Sequence, residues 1–520
     1  MMAGLLARRS FAWLAHPAAL PSKVRRWMRR WRATQTYREA LRDGELLVEA
    51  GSRPASGLIS VAMPVFNVSE ANLRAAIESV RSQSWPDWEL VVVDDAAPDP
   101  HVARVLAEAA RDPRIRVVRR ATNGGVSVAS NEAVAQARGE FVAFLDHDDE
   151  LNPRALELVA RFLGRHPETD WLFTDEDKLD QRGRHCEPIL KPGWSRHLLL
   201  AFNLVSHLRV VRRAAIDRVG GHRPGYDGAQ DYDLALRVLA AGGRFGHLPG
   251  PLYHWRGVRG SMARLASAKP RANARAAAAL LEHARGFPRG GEATVEVLVG
   301  AASFFHTRRV AEDGLSLAVA VRNPGAFDRT DCRPHPVHPL SVDDLSPAAL
   351  VAAARSSSAD VVLVPPATGM MTEEVAELLS LLQVPGTALA CARRVRGRRV
   401  EASGWVATDL GDIVDPWAGL DVSDPGYLNL GLVPGRRAVP PPSGWAAWRG
   451  SLLEAWNAAG DVPNPWRLPV GWARLELEVV ATPRVSLPSA SSEFHRPPAP
   501  APEELPRSPV SELARLGLLP

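Results

Sequence analysis

The stretch 144–151 reads FLDHDDEL: an apolar run ends in Asp146, His147, Asp148, Asp149 and Glu150. Adjacent carboxylates repel and raise one another's pKa unless a cation stands between them. Hard oxygen donors with few protein partners suit Mg2+ or Mn2+, with substrate phosphates completing the shell. An acidic turn can also offset the macrodipole of a helix that follows, and Asn152-Pro153 come next. The acids alone leave both uses open. Other carboxylates gather in short runs: Asp94-Asp95 after ELVVV, Asp175-Glu176-Asp177 in TDEDK, and Asp231 and Asp233 in GAQDYDL.

From Leu58 onward, strands and helices alternate around these acids. LISVAMPV, ELVVVDD, IRVVRR and EFVAFLD read as four strands, apolar almost throughout. Between them lies a helix with Leu73, Ala76, Ile77 and Val80 on one face and Ser69 as its N-cap. A second helix, GGVSVASNEAVAQARG, is expected to stop at Gly139. A third, NPRALELVARFLG, follows with Asn152 as cap, Pro153 at its first position and Gly164 as its stop. Apolar strands alternating with helices imply a mostly parallel α/β sheet covered on both faces. Ligands of such sheets bind beyond the carboxyl ends of the strands, where Asp94, Asp95 and Asp146 to Asp149 fall.

The ordered motifs AMPVFN, VVVDDAAPD, NGGVSVASNEA, ARGEFVAFLDHDDEL, TDEDKLD, KPGWS, GAQDYDLALRV and LYHWRG, spread over residues 58–263, resemble family-2 glycosyltransferases of the GT-A fold. The likeness is to bacterial members that build O-antigen and related surface polysaccharides. It implies an inverting transfer from a nucleotide sugar, read as UDP-linked, to a glycan or lipid-linked acceptor. It sets the family's D-x-D motif on Asp146 and Asp148, with Mn2+ or Mg2+ bridging the diphosphate and Asp149 beside them. Asp94 and Asp95 match nucleoside-contacting residues. Pro64, Val65 and Phe66 would line the base pocket, with Phe66 alternatively core, and Asn123-Gly124-Gly125 would let the backbone approach the nucleotide or form an ordinary turn. Asp231 matches the catalytic base, or else an N-cap, and Gln230 stands where many relatives carry Glu. Asp233 is the structural or acceptor-side partner. His254 either completes the metal site or packs in the core. Asp175 and Asp177 match a sugar-facing segment or a surface charge run, Lys191 and Trp194 would shape the donor or acceptor pocket, and Arg256 and Arg259 would hold the diphosphate. His207, on an apolar segment, reads as core.

With 520 residues the chain exceeds what one core usually holds. Five segments are expected: a basic helical segment over 1–57, the catalytic GT-A domain over 58–265, a helical linker over 266–301, a second α/β domain over 302–483, and a Pro/Ser-rich, largely disordered tail over 484–520. In the second domain ARSSSADVVLVPPATGMMTEEVAELLSLL has the outline of ARGEFVAFLDHDDELNPRALELVARFL, with Pro365-Pro366 where the first carries acids. It is read as a degenerate GT-A copy or an unrelated accessory domain. The N-terminal run carries ten Lys and Arg up to Arg42, interleaved with Trp13, Trp27 and Trp31. It can lie peripherally on the inner face of an anionic membrane or pack its tryptophans on the body. No window matches a membrane span, and Cys186, Cys332 and Cys391 form neither a disulfide framework nor a metal spacing, so a cytoplasmic setting is the default. Nothing points to nucleic acid. A sugar nucleotidylyltransferase would need a Gly-rich, basic triphosphate loop after the first strand, where PVFNVSE stands. A glycan-binding pseudo-transferase remains the non-enzymatic alternative.

Overall fold

The computed structural model describes residues 57–256 without a break, together with Gln35, 37–41, 270–287, 292–298, 303–311, most of 315–488 with interruptions, and Arg507–Ser508. The basic N-terminal run, Arg259 and most of the Pro/Ser-rich tail lie outside the described residues.

Strands β1 (Ile59–Val65), β2 (Trp88–Asp94), β3 (Ile115–Arg119) and β4 (Phe141–Phe144) pair in parallel in the order β3-β2-β1-β4. Alternate residues of these strands feed two cores, because successive side chains of a strand point to opposite faces. Val61, Met63, Leu90 and Val92 pack with helices α1 (Glu70–Arg81) and α2 (Pro100–Ala109). Ala62, Val91, Val93 and Val142 pack with α3 (Val126–Gln136) on the other face. The apolar runs are therefore buried on both sides, and α1 is capped by Ser69, whose side chain accepts from the Asn72 amide.

Beyond β4 the sheet becomes mixed. It continues through β8 (Arg209–Arg212), β6 (Trp171–Leu179) and β9 (Phe245–Arg256) to β5 (Glu150–Leu151), with β7 (His185–Ile189) flanking β6. β8 runs against β4 and β6, whereas β6 and β9 are parallel. Helices α4 (Ala155–Arg165), α5 (Arg196–Ala201), α6 (Arg213–Arg218), α7 (Gln230–Ala240) and α8 (Pro270–Arg285) complete the layers.

Three local expectations differ. α4 starts at Ala155 with Arg154 as its cap, not at Pro153 with Asn152 as its cap, because the Asn152 side chain instead accepts from the Arg154 amide at 3.0 Å and closes a turn ahead of the helix; Gly164 lies inside the last turn. Gly139 does not stop α3, which ends at Gln136. It presses against β1, where an added Cβ would stand 2.4 Å from the Leu58 carbonyl oxygen, and its amide donates to Ser60 Oγ. Glu150 caps no helix, because it belongs to β5, opposite His254, and pairs with the Arg256 guanidinium.

A second sheet runs Val337–Ser341, Leu317–Val321, Val361–Val364, Trp445–Trp448, Thr387–Arg396, Glu478–Pro488, Gly435–Arg437. Its successive pairings are parallel, parallel, antiparallel, antiparallel, parallel and antiparallel. The path β2-β1-β4-β8-β6-β9-β5 has the same sequence of directions, and Arg399–Ala402 flanks Thr387–Arg396 as β7 flanks β6. Chain order matches as well, except for the last strand. Val361–Val364 holds the place of β4, and buried Pro365 and Pro366 follow it. The final long strand reaches Pro488, past the expected start of the tail.

Between the sheets, the hairpin of β10 (Ala293–Val297) and β11 (Phe305–Arg309) touches both. Phe305 enters the core around Tyr232, Thr307 Oγ1 donates to the Leu200 carbonyl, and His306 meets Glu377 of the helix Thr372–Leu382 at 3.1 Å. Among the described residues no helix is long and apolar enough to cross a membrane.

Two outcomes follow. Gly139→Ala should destabilise the protein by about 1–3 kcal/mol, the range for forcing an extra methyl into packed surroundings, read as a lower urea midpoint. Burial holds His222 down to about 3, and His197 and His283 to about 4. These rings stay neutral in the fold, whereas an unfolded histidine takes up a proton near pH 6.5. The unfolded state therefore binds more protons below that pH, and stability should fall as pH drops from about 6.5 toward 4. Equal urea midpoints at pH 7 and pH 5 would contradict this.

Candidate functional site

A cavity of about 750 Å3 opens beyond the carboxyl ends of β1, β2 and β4. Its floor comes from the strand ends: Pro64, Val65 and the exposed Phe66 after β1, Asp95 after β2, and Asp146 to Asp149 after β4. Asn123 and Gly125 border it from the loop before α3, and Gln230 and Asp231 from the first turn of α7. Trp255 and Arg256 enter from the end of β9, and α8 and β11 close the far wall through Ala276 and Phe305.

The acids at the end of β4 have separate environments. Asp149, only 6% exposed, accepts from the Tyr253 hydroxyl at 2.7 Å and the Arg256 amide at 2.8 Å. Burial, with Asp146 and Asp148 nearby, pushes its carboxyl well above the usual range. Burial also raises the Asp146 carboxyl, and Asp148 and Asp231 add to the shift while the Arg209 guanidinium opposes it. His147 does not join the acids: its Nδ1 faces the Pro64 carbonyl at 3.0 Å and ties the ends of β1 and β4 together.

Asp231 stands across the cavity. Its Oδ2 accepts from Asn203 Nδ2 at 2.8 Å, its Oδ1 from the Tyr232 amide at 2.8 Å, and Arg209 lies 3.9 Å away. The cap of α7 is Ala229, so Asp231 is inside the first turn rather than at its cap. Gln230 accepts from the Gly228 amide. Asp233 is a structural residue, buried and gripped by Arg223 and Arg237.

Asp95 is committed to the loop. Its two oxygens accept from the Gly124 and Gly125 amides at 2.9 and 2.8 Å, Arg120 lies at 3.0 Å, and Asn123 donates to its carbonyl. Gly125 has φ +86, and a Cβ there would meet Asp227, whose carboxylate holds Ser127 at the start of α3. The glycine is required both by its backbone conformation and by this close approach.

Seven expected site residues do not line the cavity. Asp94 folds back to accept from the Ala97 amide at 2.8 Å, and Gly124 lies behind Gly125. Asp175 accepts from the Lys191 and Gly250 amides and faces His247, locking β6 to β9. Lys191 is buried and donates to the His207 carbonyl, with Glu176 at 3.5 Å. Trp194 stacks on Phe245 at 4.4 Å, and Phe245 on Trp171, in the core. Asp177 and His254 meet each other at 2.6 Å. His254 fails to reach Asp146 and Asp148 because strand alternation turns Tyr253 toward Asp149 and His207 and Trp255 into the cavity, and sends the residue between them the other way, to Asp177. Conversely, His207 does line the cavity while stacking on Tyr253 at 4.5 Å.

Sequence reasoning missed Arg209, Asn203 and Tyr253. Arg209 is 4% exposed, lies over the Phe144 ring, and is the cation that faces both Asp146 and Asp231. Its signal was a lone Arg in the apolar run NLVSHLRVV. Around this cavity Asn203 Oδ1, His207 Nδ1, Arg209 Nε and Arg256 Nε are buried without a partner among the described residues. Buried polar groups seldom stay unpaired, so these atoms suit a polar occupant.

The acids also suit a divalent cation. Asp146 and Asp148 offer only oxygen donors, and the burial that raises the Asp146 carboxyl is relieved by positive charge. Among the described residues no third ligand-type side chain joins them in a compact group, which leaves coordination positions for phosphate and water, as Mg2+ prefers.

Residues 60–220 match the model of the family described as Glycosyl transferase family 2. The chain is 47% identical over 229 residues to the uncharacterized protein y4gI of Sinorhizobium fredii, covering 44% of this chain and 25% of that one. It is 44% identical over 227 residues to the O-antigen biosynthesis protein RfbC of Myxococcus xanthus, covering 44% of this chain and 18% of RfbC. It thus spans a quarter or less of the length of these two relatives. To the putative glycosyltransferase EpsE of Bacillus subtilis it is 30% identical over 203 residues, which is 38% of this chain and 71% of EpsE. The chain belongs to glycosyl transferase family 2.

Proposed function

We propose that the chain is an inverting glycosyltransferase that moves a sugar from a nucleoside diphosphate, read as UDP, to a hydroxyl of a glycan or lipid-linked acceptor in surface-polysaccharide synthesis. The observation that carries this reading is the convergence of Asp146, Asp148 and Asp231 on one cavity around which four buried polar side-chain atoms lack a partner among the described residues.

Asp231 acts as general base. Asn203 and the Tyr232 amide fix the orientation of its carboxylate, and it takes the proton of the acceptor hydroxyl as that oxygen attacks the anomeric carbon. The bond to the diphosphate oxygen breaks in the same displacement, so the configuration inverts. Pro64, Val65 and Phe66 form the nucleoside pocket, and Asp95 serves it indirectly by holding the Asn123–Gly125 loop. Arg256 and Arg209 supply positive charge at the diphosphate. Asp146 and Asp148 would hold Mg2+ or Mn2+, which when bound offsets the charge of the leaving diphosphate.

The second sheet is read as a degenerate copy of the first, spanning residues from about 302 onward. The repeated order of strand directions supports this, and Pro365-Pro366 replaces the metal-binding acids. It would serve as scaffold or acceptor platform. This reading includes a cytoplasmic setting and peripheral membrane contact through the basic N-terminal run.

Asp231→Asn should lower transfer by about 10²–10⁴-fold, the usual worth of a general base, with the circular dichroism spectrum unchanged. Asp148→Ala should abolish it. A screen of UDP-, GDP- and dTDP-sugars by nucleotide release, with Mn2+ and with EDTA, should show a UDP-sugar consumed only with metal. Full activity in both variants would refute the site, and turnover in EDTA would refute the role of the acidic turn.

A further inference from the structure

The alternation that turns Tyr253 toward Asp149 and Trp255 into the cavity delivers His254 into a second, separate cluster. His254 Nδ1 lies 2.6 Å from Asp177 Oδ1, and His185 Nδ1 lies 2.8 Å from Asp177 Oδ2. The two imidazole centroids are 4.5 Å apart at 71°. Ligand atoms of all three residues fall within 4.8 Å of one another. Tyr37, from the helical segment 37–41, donates its hydroxyl to Asp177 Oδ2 at 2.6 Å. Asp177 and Tyr37 have no solvent exposure, and His254 has 5%.

We infer that Asp177, His185 and His254 form a site for a borderline transition metal of the Zn2+ class, distinct from the oxygen-only pair Asp146 and Asp148. Two imidazoles and one carboxylate are donors that favour Zn2+ or Co2+ over Mg2+ or Ca2+. Both rings ligate through Nδ1, and each moves its proton to Nε2, so they stay neutral. The fourth position falls to the Tyr37 oxygen or to water. Tetrahedral ligands at about 2.0–2.1 Å from zinc stand roughly 3.3 Å from one another, so the His254 contact must open by about 0.7 Å and the His185 contact by about 0.5 Å. His185, whose side chain is 33% exposed on the outer strand β7, can yield that much. Such an ion would join three distant segments: the helix around Tyr37, the β6–β7 ribbon, and β9 one residue from Tyr253. Arg38 already runs beside this joint, donating to the His185 carbonyl at 2.6 Å. The inference does not rest on the transfer reaction, because its test reads metal binding alone.

The full chain is stripped with EDTA, dialysed and titrated with Co2+ in the presence of excess Mg2+, which occupies the oxygen-only pair. We expect one Co2+ per chain, with the visible absorption of a four-coordinate ion, displaced by equimolar Zn2+. His185→Ala should weaken this binding by at least the ~10–100-fold that loss of even an outer-sphere partner costs. Asp148→Ala should leave it unchanged, and a second ligand variant, His254→Gln, should weaken it as His185→Ala does. Circular dichroism checks that each variant is folded. Absence of stoichiometric Co2+ absorption in the wild type, a band that survives His185→Ala, or a band lost in Asp148→Ala would each overturn the site and leave a hydrogen-bonded cluster only.

Discussion

The geometry of the cavity depends on one buried carboxylate in its floor, Asp149. It neighbours Asp146 and Asp148, and the fold must give it hydrogen-bond partners because a buried polar group without them is costly. The donors are the Tyr253 hydroxyl and the Arg256 amide, both on β9. The same hydroxyl accepts from the Asp146 amide at 3.2 Å. One phenol thus sets the conformation of the acidic turn and fastens β4 to a strand over one hundred residues later. With β9 fixed, Trp255 and Arg256 enter the cavity, β5 gains its partner, and His254 must face the other way.

Much of the sheet was legible because its strands carry unbroken apolar runs, which only a doubly covered sheet can bury. The acidic turn was legible because no packing argument explains three neighbouring aspartates. The directions of individual side chains were not. Asp94 and Asp95 are identical in type and adjacent, yet one braces its own turn and the other anchors the glycine loop. DEDK reads as a surface charge run or a sugar contact, but its carboxylates are buried, each with partners from other strands or loops. Those partners lie up to 140 residues away in the chain, so no local pattern announces them. Arg209 was hidden for the opposite reason: a cation in an apolar strand looks like an edge residue until the acids opposite it are known.

The two sheets meet through specific polar contacts as well as through the β10–β11 hairpin. Glu478, at the start of the last long strand, accepts from Ser195 Oγ and from the Arg196 amide at the beginning of α5. At the next residue, His197 Nε2 lies 2.7 Å from Thr387 Oγ1, and Val384 joins the core of the first sheet. These contacts are buried, so separating the sheets would leave a carboxylate and an imidazole without partners, which links the stability of each half to the other.

The short helix α5 has a further consequence. It begins on Glu478 of the second sheet and leads directly into Phe202 and Asn203, which border the cavity; Phe202 stacks on Phe304 at 4.9 Å, and Asn203 orients Asp231. The half of the molecule without the acidic turn therefore supplies an abutment for Asp231. The two halves are therefore not independent modules: a change at Glu478 is felt at Asp231 through α5 and Asn203, so a residue far from the cavity shares in setting its geometry.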